Sequence, residues 1–522
     1  MRDRRWARSG RWWMLGVTCL SVVVVSLDLT ILNIALPSIS AALHAGTGDL
    51  QWIVDAYSLT FAGMMLPAGT IGDRLGRKRL LLTGLAVFLA ASAWCALSVS
   101  AGELIAARAV MGLGGAIVFP LSLAVVPSAF GDADRPKAIA VLTAVVAAGL
   151  PLGPILGGLL LQHFSWHSVF WINVPGVCLT LVAGIVLMPE SRNPATPPLD
   201  ILGALLSVTA PACLVWGAIN GPQYGWAAPA SWGLLAGSAV LLAAFARHER
   251  RTAHPLVDPT VFTDPRFAWG TVATAAISVP LFEVMFTLPQ YLESVAGDDP
   301  VRAGLRLVPM MGGLVVAGGA ASPVARAAGA KITVAAGLAL LTAGLVVLSQ
   351  IRETTGYGVV AAGLTLCGLG IGAAIAAAMD QVMAAVGGDE AGAGASLNSA
   401  LRQVTGGVAI AVGGSVLSGG YSGSLRPAGA RLPAAEAALA RSSVTEAAAL
   451  ARHLPHGRVF LRAVGTAYLH SMGDVMIACA VVTALAALTS LRYLPGRAST
   501  DIGATSAPRD PATADTDSHA RR

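Results

Sequence analysis

Apolar runs of about twenty residues recur along the chain, divided by short polar segments rich in Arg, Gly and Pro. About twenty residues of helix, at a rise of 1.5 Å each, match the hydrocarbon thickness of a bilayer. Within hydrocarbon every backbone N–H and C=O must be satisfied inside the segment, so runs of this length read as α-helices. The pattern predicts about fourteen spans, near 12–36, 50–71, 80–99, 103–127, 137–161, 168–188, 201–220, 230–246, 267–292, 305–324, 331–349, 357–384, 398–418 and 468–492. The seventh and eighth are the weakest, being shorter or broken by Pro and Gly. The fold class expected is an all-α membrane protein.

Lys and Arg between the spans set an orientation. Arg2, Arg4, Arg5, Arg8 and Arg11 precede the first span; Arg74, Arg77, Lys78 and Arg79 follow the second. Arg135 and Lys137 follow the fourth, and Arg247, Arg250 and Arg251 the eighth. All fall on one side if both termini are cytoplasmic. The long segment 419–467 carries several Arg on the other side, but long segments cross with less regard to charge. This placement explains the net charge of +6 without nucleic acid as a partner; the partner implied is the lipid bilayer. The first apolar run is too long for a cleaved signal peptide and contains an acid, so it is expected to stay. With 12% charged and 55% hydrophobic residues and a mean hydropathy of +0.69, a soluble globular domain is excluded. The six cysteines all lie in apolar runs without a C-x-x-C pair, which suits packing better than a disulfide framework or metal site. His453 and His456 alone make a weak metal pair, and no metal or cofactor is expected. No phosphate-binding lysine loop, G-x-S-x-G or H-E-x-x-H occurs, so neither ATP-driven pumping nor hydrolysis is indicated.

The spans divide into six, two and six. The loop Gly72-Asp-Arg-Leu-Gly-Arg-Lys78 has a degraded echo in Val324-Ala-Arg-Ala-Ala-Gly-Ala-Lys331, and Ile155-Leu-Gly-Gly158 is echoed by Ala411-Val-Gly-Gly414. These echoes favour a duplicated six-span unit. The expected organisation is a six-helix bundle over 1–190, two inserted helices over 191–258, and a second six-helix bundle over 259–494. Its long loop, 419–467, is Ala-rich and suited to a short amphipathic helix or to mobility. The tail 495–522 has few large apolar residues and is expected to be disordered.

Polar residues inside the spans carry the candidate chemistry. Asp28 lies in the first run, where an acid costs roughly 2.5–3.5 kcal/mol on insertion scales. Ser21 and Ala35, seven residues either side, give it a small-residue face that suits a solvated cavity; an acid locked in a structural pair is the alternative. Arg108 in the fourth span has Gly112 and Gly115 on its face, where a neighbouring backbone can approach. If Arg108 reaches an acid, that acid's protonation depends on whether the two touch, which is a workable proton switch; snorkelling to the surface is the alternative. Glu283, Thr287 and Gln290 form a stripe at i, i+4 and i+7, expected either to line a translocation path or to bond between helices. Asp380, and the i, i+4 pair His470 and Asp474, are further proton-handling candidates, though both sites also suit helix ends near a surface. Gly149-Leu-Pro151-Leu-Gly153-Pro154-Ile-Leu-Gly157-Gly158 makes a helix that bends and packs closely. In the loop Gly69-Thr-Ile-Gly72-Asp73-Arg74-Leu-Gly76-Arg77-Lys78, the acid at a helix end can pair in one state and release in another.

In these residues the chain resembles the major facilitator superfamily, and within it the fourteen-span drug:proton antiporters of the QacA and EmrB type. The resemblance runs from Leu27-Asp-Leu-Thr-Ile-Leu-Asn-Ile-Ala-Leu-Pro37 through the Gly69–Lys78 loop, Arg108-Ala-Val-Met-Gly112, the Gly149–Gly158 run and Trp171-Ile-Asn-Val-Pro175 to Pro289-Gln-Tyr-Leu292 and Asn398-Ser-Ala-Leu-Arg-Gln403. It implies two six-helix bundles plus two inserted helices. It implies a proton-coupled exporter of small amphipathic drugs or antibiotics, in the cytoplasmic membrane of a bacterium, driven by the proton gradient without a cofactor. By resemblance, Asp28 handles substrate and protons, Asp73 and its bases form a cytoplasmic gate, Arg108 couples protons, and the Gly149–Gly158 run marks an antiporter. Met111 departs from a frequent Gln, His167 from Arg, and Glu293 from Gln. A dedicated exporter of one native metabolite and a non-transporting receptor or scaffold are the rival readings. A monomer is expected, since such a fold encloses its own path.

Overall fold

The computed structural model describes residues 2–130, 134–188, 190, 200–224, 228–253, 255–257, 259–386, 391–430 and 432–495. The tail from 496, the linker 191–199 and the side chain of Pro151 lie outside the described residues. The first unit comprises α1 (Arg2–Leu43), α2 (Thr47–Leu75), α3 (Arg77–Leu97), α4 (Ala101–Ala129), α5 (Arg135–His163), α6 (Ser168–Trp171) and α7 (Asn173–Leu187). Then come α8 (Ile201–Tyr224) and α9 (Pro229–Glu249). The second unit comprises α10 (Pro265–Gln290), continued by a π-helical turn over Tyr291–Val295, and α11 (Pro300–Ala328), α12 (Ala330–Ser349), α13 (Tyr357–Ala385), α14 (Ala391–Gly429), α15 (Ala434–Ser442), α16 (Val444–Ala451) and α17 (Gly457–Tyr493). No strand occurs among the described residues.

Twelve helical stretches are long and apolar enough to cross a membrane, counting α6 with α7. Helices α2 and α5, of 29 residues each, have the length and pack inside the bundle between spans. The chain is a multi-pass membrane protein. Large apolar side chains left exposed on outer faces, such as Leu179, Val182, Ile185 and Val186 of α7 or Val481, Leu485 and Leu488 of α17, are those a lipid tail would cover. The helices outrun the apolar stretches at several ends: α14 reaches 429 and α17 starts at 457, because Ala and polar residues continue a helix past the hydrocarbon. The segment 419–467 is correspondingly not an open loop. Its middle holds α15 and α16, and α16 packs on α1 and α17.

The two units repeat one packing scheme. In the first, α1 packs on α4, α5 and α7, α2 on α4, and α3 on α4 and α7. In the second, α10 packs on α13, α14 and α17, α11 on α13, and α12 on α13 and α17. Helix for helix these are the same pairings, and each unit has its own apolar core. The loop echo seen in sequence is structural too. Gly76 and Gly329 both end a helix at positive φ, 115° and 93°, and each N–H bonds back four residues, to Gly72 and Ala325 at 2.9 Å. Only glycine adopts such a turn without strain.

The units meet along two seams, α2 on α14 and α5 on α11, which are equivalent under the repeat. Glycines bring the backbones together there. A Cβ on Gly158 would lie 2.6 Å from the Pro300 carbonyl oxygen, and one on Gly304 would lie 2.4 Å from that of Pro154. Gly149, Gly153 and Gly157 similarly face Ser26, Thr30 and Ile31 of α1, so this glycine-rich run is a close-packing surface on both sides. The inserted pair sits outside the α2–α14 seam: α9 packs on α8, and α8 covers both seam helices.

Packing this tight predicts a contrast between glycines. A Cβ on Gly368 would meet the Met310 carbonyl oxygen at 2.0 Å, whereas Gly312 has open space. Gly368→Ala is expected to destabilise by about 1–3 kcal/mol through overpacking. Gly312→Ala should be neutral, or stabilising by up to about 1 kcal/mol from helix propensity. Thermal unfolding of the purified variants in detergent checks the order.

Candidate functional site

A cavity of about 160 Å³ lies between the two units. α1 contributes Ser26, Leu29, Thr30 and Asn33, at helical spacing on one face, and α2 adds Val54, Tyr57, Ser58 and Phe61. From α4 comes Arg108; from α10, Leu281, Phe282 and Met285; from α14, Ser399, Arg402 and Gln403. The walls are mostly apolar with a few polar groups, the composition of a small-molecule site.

Asp28 lies just behind this wall and is fully buried. Its Oδ2 accepts a hydrogen bond from Nη1 of Arg108 at 2.7 Å, and Asn173 Nδ2 donates to Oδ1 at 3.4 Å. Arg108, only 1% exposed, also donates from Nε to the Ile53 carbonyl at 3.2 Å and lies 4.3 Å from the Tyr57 ring centroid. Asn173 bonds on to Ser92 Oγ at 3.2 Å, and that hydroxyl donates to the Phe170 carbonyl at 2.8 Å. The network thus ties α1, α2, α3, α4 and α7 together. Its geometry depends on glycine: a Cβ on Gly112 would lie 2.5 Å from the Tyr57 carbonyl oxygen, and one on Gly115 would lie 2.8 Å from its hydroxyl. Arg108 therefore does not snorkel. Nor do Ser21 and Ala35 line this cavity: both are buried, and Ser21 Oγ donates to the Val17 carbonyl. The sulfur of Met111 lies 3.6 Å from Arg108 Nη1, and the polar company of the ion pair comes from Asn173 instead.

The stripe on α10 does not line this cavity. Glu283, Thr287 and Gln290 are buried against α14 and α17. Thr287 Oγ1 and Gln290 Nε2 donate to the carbonyls of Glu283 and Phe286, both at 2.8 Å, and Tyr468 donates to the Thr287 carbonyl at 2.8 Å. Spacing puts the three on one face; it does not say which face meets the cavity, and here Leu281, Phe282 and Met285 do. Both carboxylate oxygens of Glu283 are buried without a hydrogen-bond partner among the described residues. So are both oxygens of Asp55 on α2, a residue that sequence reasoning passed over. The two acids abut glycines of the same helix, Asp55 beside Gly407 and Glu283 beside Gly413. An acid within an apolar run was the available signal for Asp55.

The other candidates lie apart. Asp380 is exposed near the end of α13 and accepts a bond from Ser322 at 3.1 Å. His470 and Asp474 are exposed on α17, border a groove with the α12–α13 loop, and form no hydrogen bond with each other. These three are not gathered with the cavity: Asp380 lies in the last turns of α13, and His470 and Asp474 lie on an exposed face within α17. In the α2–α3 loop, Arg77 Nε bonds Asp73 Oδ1 at 2.7 Å and Lys78 Nζ bonds the Ile185 carbonyl at 2.7 Å. Glu190 receives the Lys78 N–H at 3.2 Å and pairs with Arg79 at 3.6 Å. Gly72 packs on Leu121, whereas Gly69 is open and Arg74 exposed. Among the described residues no group of His, Cys, Asp and Glu is arranged to hold a metal ion.

Residues 18–410 match the family model described as Major Facilitator Superfamily. The chain belongs to the major facilitator superfamily. It is therefore a transporter. It is 34% identical to the multidrug resistance protein Stp of Mycobacterium tuberculosis over 79% of this chain and 77% of that one. To the tetracenomycin C resistance and export protein of Streptomyces glaucescens it is 32% identical, over 93% and 92%. To the methyl viologen resistance protein SmvA of Salmonella typhimurium it is 34% identical, over 88% and 94%. In fold it is similar to a bacterial homologue of the lysosomal transporter Spinster, solved inward-facing, with a TM-score of 0.65 at 15% identity over 94% of this chain and 99% of that one. The D-xylose–proton symporter follows the same fold, with a TM-score of 0.61 at 12% identity over 93% and 98%.

The ion pair predicts a double-mutant signature. Arg108→Ala strands Asp28 as a lone buried charge and should lower stability by about 3–5 kcal/mol. Replacing both partners, Asp28→Asn with Arg108→Met, should recover most of that loss. Thermal unfolding of the single and double variants measures the difference, and equal losses in both would contradict the pairing.

Proposed function

We propose that this transporter is a proton-coupled exporter of amphipathic drugs or antibiotics, working by alternating access in the cytoplasmic membrane of a bacterium. The observation that carries the reading is the Asp28–Arg108 pair, held out of water immediately behind a cavity to which Arg108 itself contributes. A proton on Asp28 removes the charge that holds Arg108 and frees the guanidinium to move in the cavity wall. Proton binding and cargo binding then act on one side chain. The relatives support the direction and cargo, since their names describe drug and antibiotic resistance and export.

On this reading the end that carries the basic loops is the cytoplasmic one, as the positive-inside rule favours. At the opposite end α1 and α2 are tied to the second unit. Ser40 bonds Ser443 at 3.1 Å, His44 bonds Glu446 at 3.1 Å, and Thr47 donates to the Ser442 carbonyl at 3.0 Å. Gln51 Nε2 donates to the carbonyls of Ile410 and Ala411 at 2.7 and 2.9 Å. On this reading the cavity is closed to the outside. Its volume is below the roughly 300–1,000 Å³ of drug-sized sites, so the halves must part at the cytoplasmic end to admit cargo. Asp55 and Glu283 are further proton carriers at the α2–α14 and α10–α14 contacts, and Asp73 with Arg77 restrains the cytoplasmic end. Energy comes from the proton gradient without a cofactor: about 2.3 kcal/mol per charge per 100 mV supports a gradient of neutral cargo of some tens-fold. A single copy encloses the path. The 92% coverage of the tetracenomycin C exporter favours, as a second reading, a dedicated exporter of one native compound by the same mechanism.

Asp28→Asn is expected to fold, bind cargo and lose proton-coupled transport by tenfold or more, on the order of one removed charge-assisted bond. Substrate-triggered proton release from acidified proteoliposomes reads this directly. Unchanged release from the variant would refute a role for Asp28 in coupling.

A further inference from the structure

The charges that line the central cavity are both positive. No Asp or Glu is among its lining residues. Arg108 is neutralised from behind by Asp28 at 2.7 Å. Arg402 is not neutralised: its Nε donates to the Ser278 hydroxyl at 3.3 Å, and no carboxylate among the described residues lies within ion-pairing distance. The unpartnered acids Asp55 and Glu283 do not line the chamber. Beside Arg402, Gln403 is 8% exposed and its Nε2 has no acceptor. The two residues therefore offer the cavity a guanidinium fork and an amide N–H, donors without a matching acceptor. They project from α14 about three turns from its start, facing a wall of Leu29, Phe282, Met285 and Leu314.

We infer that Arg402 and Gln403 form an anion-recognition site within this cavity, selecting cargo that carries a carboxylate, phenolate or similar acidic group on an apolar body. A planar guanidinium matches two acceptor oxygens at once. Half-buried in a mostly apolar chamber, it gains more from an anionic acceptor than it would in water. A permanent cation meets the opposite field and finds no acid on the wall. The site's role in transport rests on the exporter reading above; its binding preference does not.

The test is a matched series with one aromatic body: 1-pyrenebutyrate, its methyl ester, and the corresponding trimethylammonium cation. Binding is measured by fluorescence on the full-length protein in nanodiscs, with empty nanodiscs as the partition background. The carboxylate is expected to bind about tenfold or more tighter than the ester or the cation, the scale of a charge-assisted hydrogen bond. Arg402→Gln should abolish that preference while leaving the ester within about twofold of wild type, and Arg402→Lys should retain part of it. An ester or cation bound as tightly as the acid by wild type overturns the inference, and so does binding of none of the three. An equal loss for all three in Arg402→Gln makes Arg402 a structural residue and overturns it too. The wild-type comparison needs no variant and stands if Arg402→Gln does not fold. Proton-driven movement of the same probes in vesicles separates the two readings. Acid preference without movement removes the exporter; movement of ester and cation without acid preference removes only the anion site.

Discussion

A carboxylate and a guanidinium meet at 2.7 Å between α1 and α4 where neither is open to solvent. Two charges at bilayer depth are tolerated only when they are paired and their remaining donors and acceptors are filled. Much of the first unit is arranged to meet that condition. Asn173 comes from α7 to bond the second carboxylate oxygen, Ser92 from α3 holds Asn173, and the Ile53 carbonyl of α2 takes the Arg108 Nε–H. Gly112 and Gly115 let α2 come near enough for Tyr57 to cover the guanidinium. Five helices are thus fixed relative to one ion pair, and a change in its charge is felt by all of them.

The second unit uses the same helix pairings with different chemistry at the equivalent places. Gly157 on α5 packs against Ile31 of α1; its counterpart Gly413 on α14 packs against Glu283 of α10. Gly158 meets α11 at Pro300, and its counterpart Gly414 meets α2 at Gln51. The duplicated scaffold supplies two equivalent seams. Divergence at a few positions makes one seam apolar and tight and the other polar, with Asp55, Gln51 and Glu283 gathered around α14.

Twelve of the fourteen expected spans are matched by long apolar helices among the described residues, α2 and α5 being the exceptions, and those twelve were legible because one local rule governs each, about twenty apolar residues per crossing. The positions of Asp28 and Arg108 were legible for the same reason in reverse, as charges in apolar runs. The repeat could be seen in two short echoes, because a positive-φ turn demands glycine and a backbone-to-backbone seam excludes a Cβ. What sequence did not give was direction. Glu283, Thr287 and Gln290 share a face, but whether it meets cavity or helix depends on how α10 is rotated against α14 and α17, which is set by packing across hundreds of residues. Asp55 carried the same signal as Asp28, an acid inside an expected span, but nearer the start of its span, where polar residues such as Gln51 make an acid less conspicuous. Arg402 and Gln403 stood in the sequence as part of a family resemblance. Only the folded chain shows that α14 turns them into the same chamber as Arg108.

The contacts that tie the two halves at the end opposite the basic loops bear on how such a fold can move. They are hydroxyl, amide, imidazole and carbonyl bonds: Ser40 with Ser443, His44 with Glu446, Thr47 with Ser442, and Gln51 with two α14 carbonyls. Each contributes on the order of 0.5–1.5 kcal/mol net, because water competes for the same groups. An apolar lock of equal area would resist opening, since separation would expose its whole surface to water. A hydrogen-bonded closure exchanges its partners for water instead. Most of the apolar packing lies within each unit, in two cores that take in only a few residues from across the interface, Ile34 in one and Phe286, Ala400 and Ile410 in the other. On the proposed mechanism, stiff halves joined at this end by water-replaceable bonds would part here at less cost than an apolar closure of equal area, as alternating access requires.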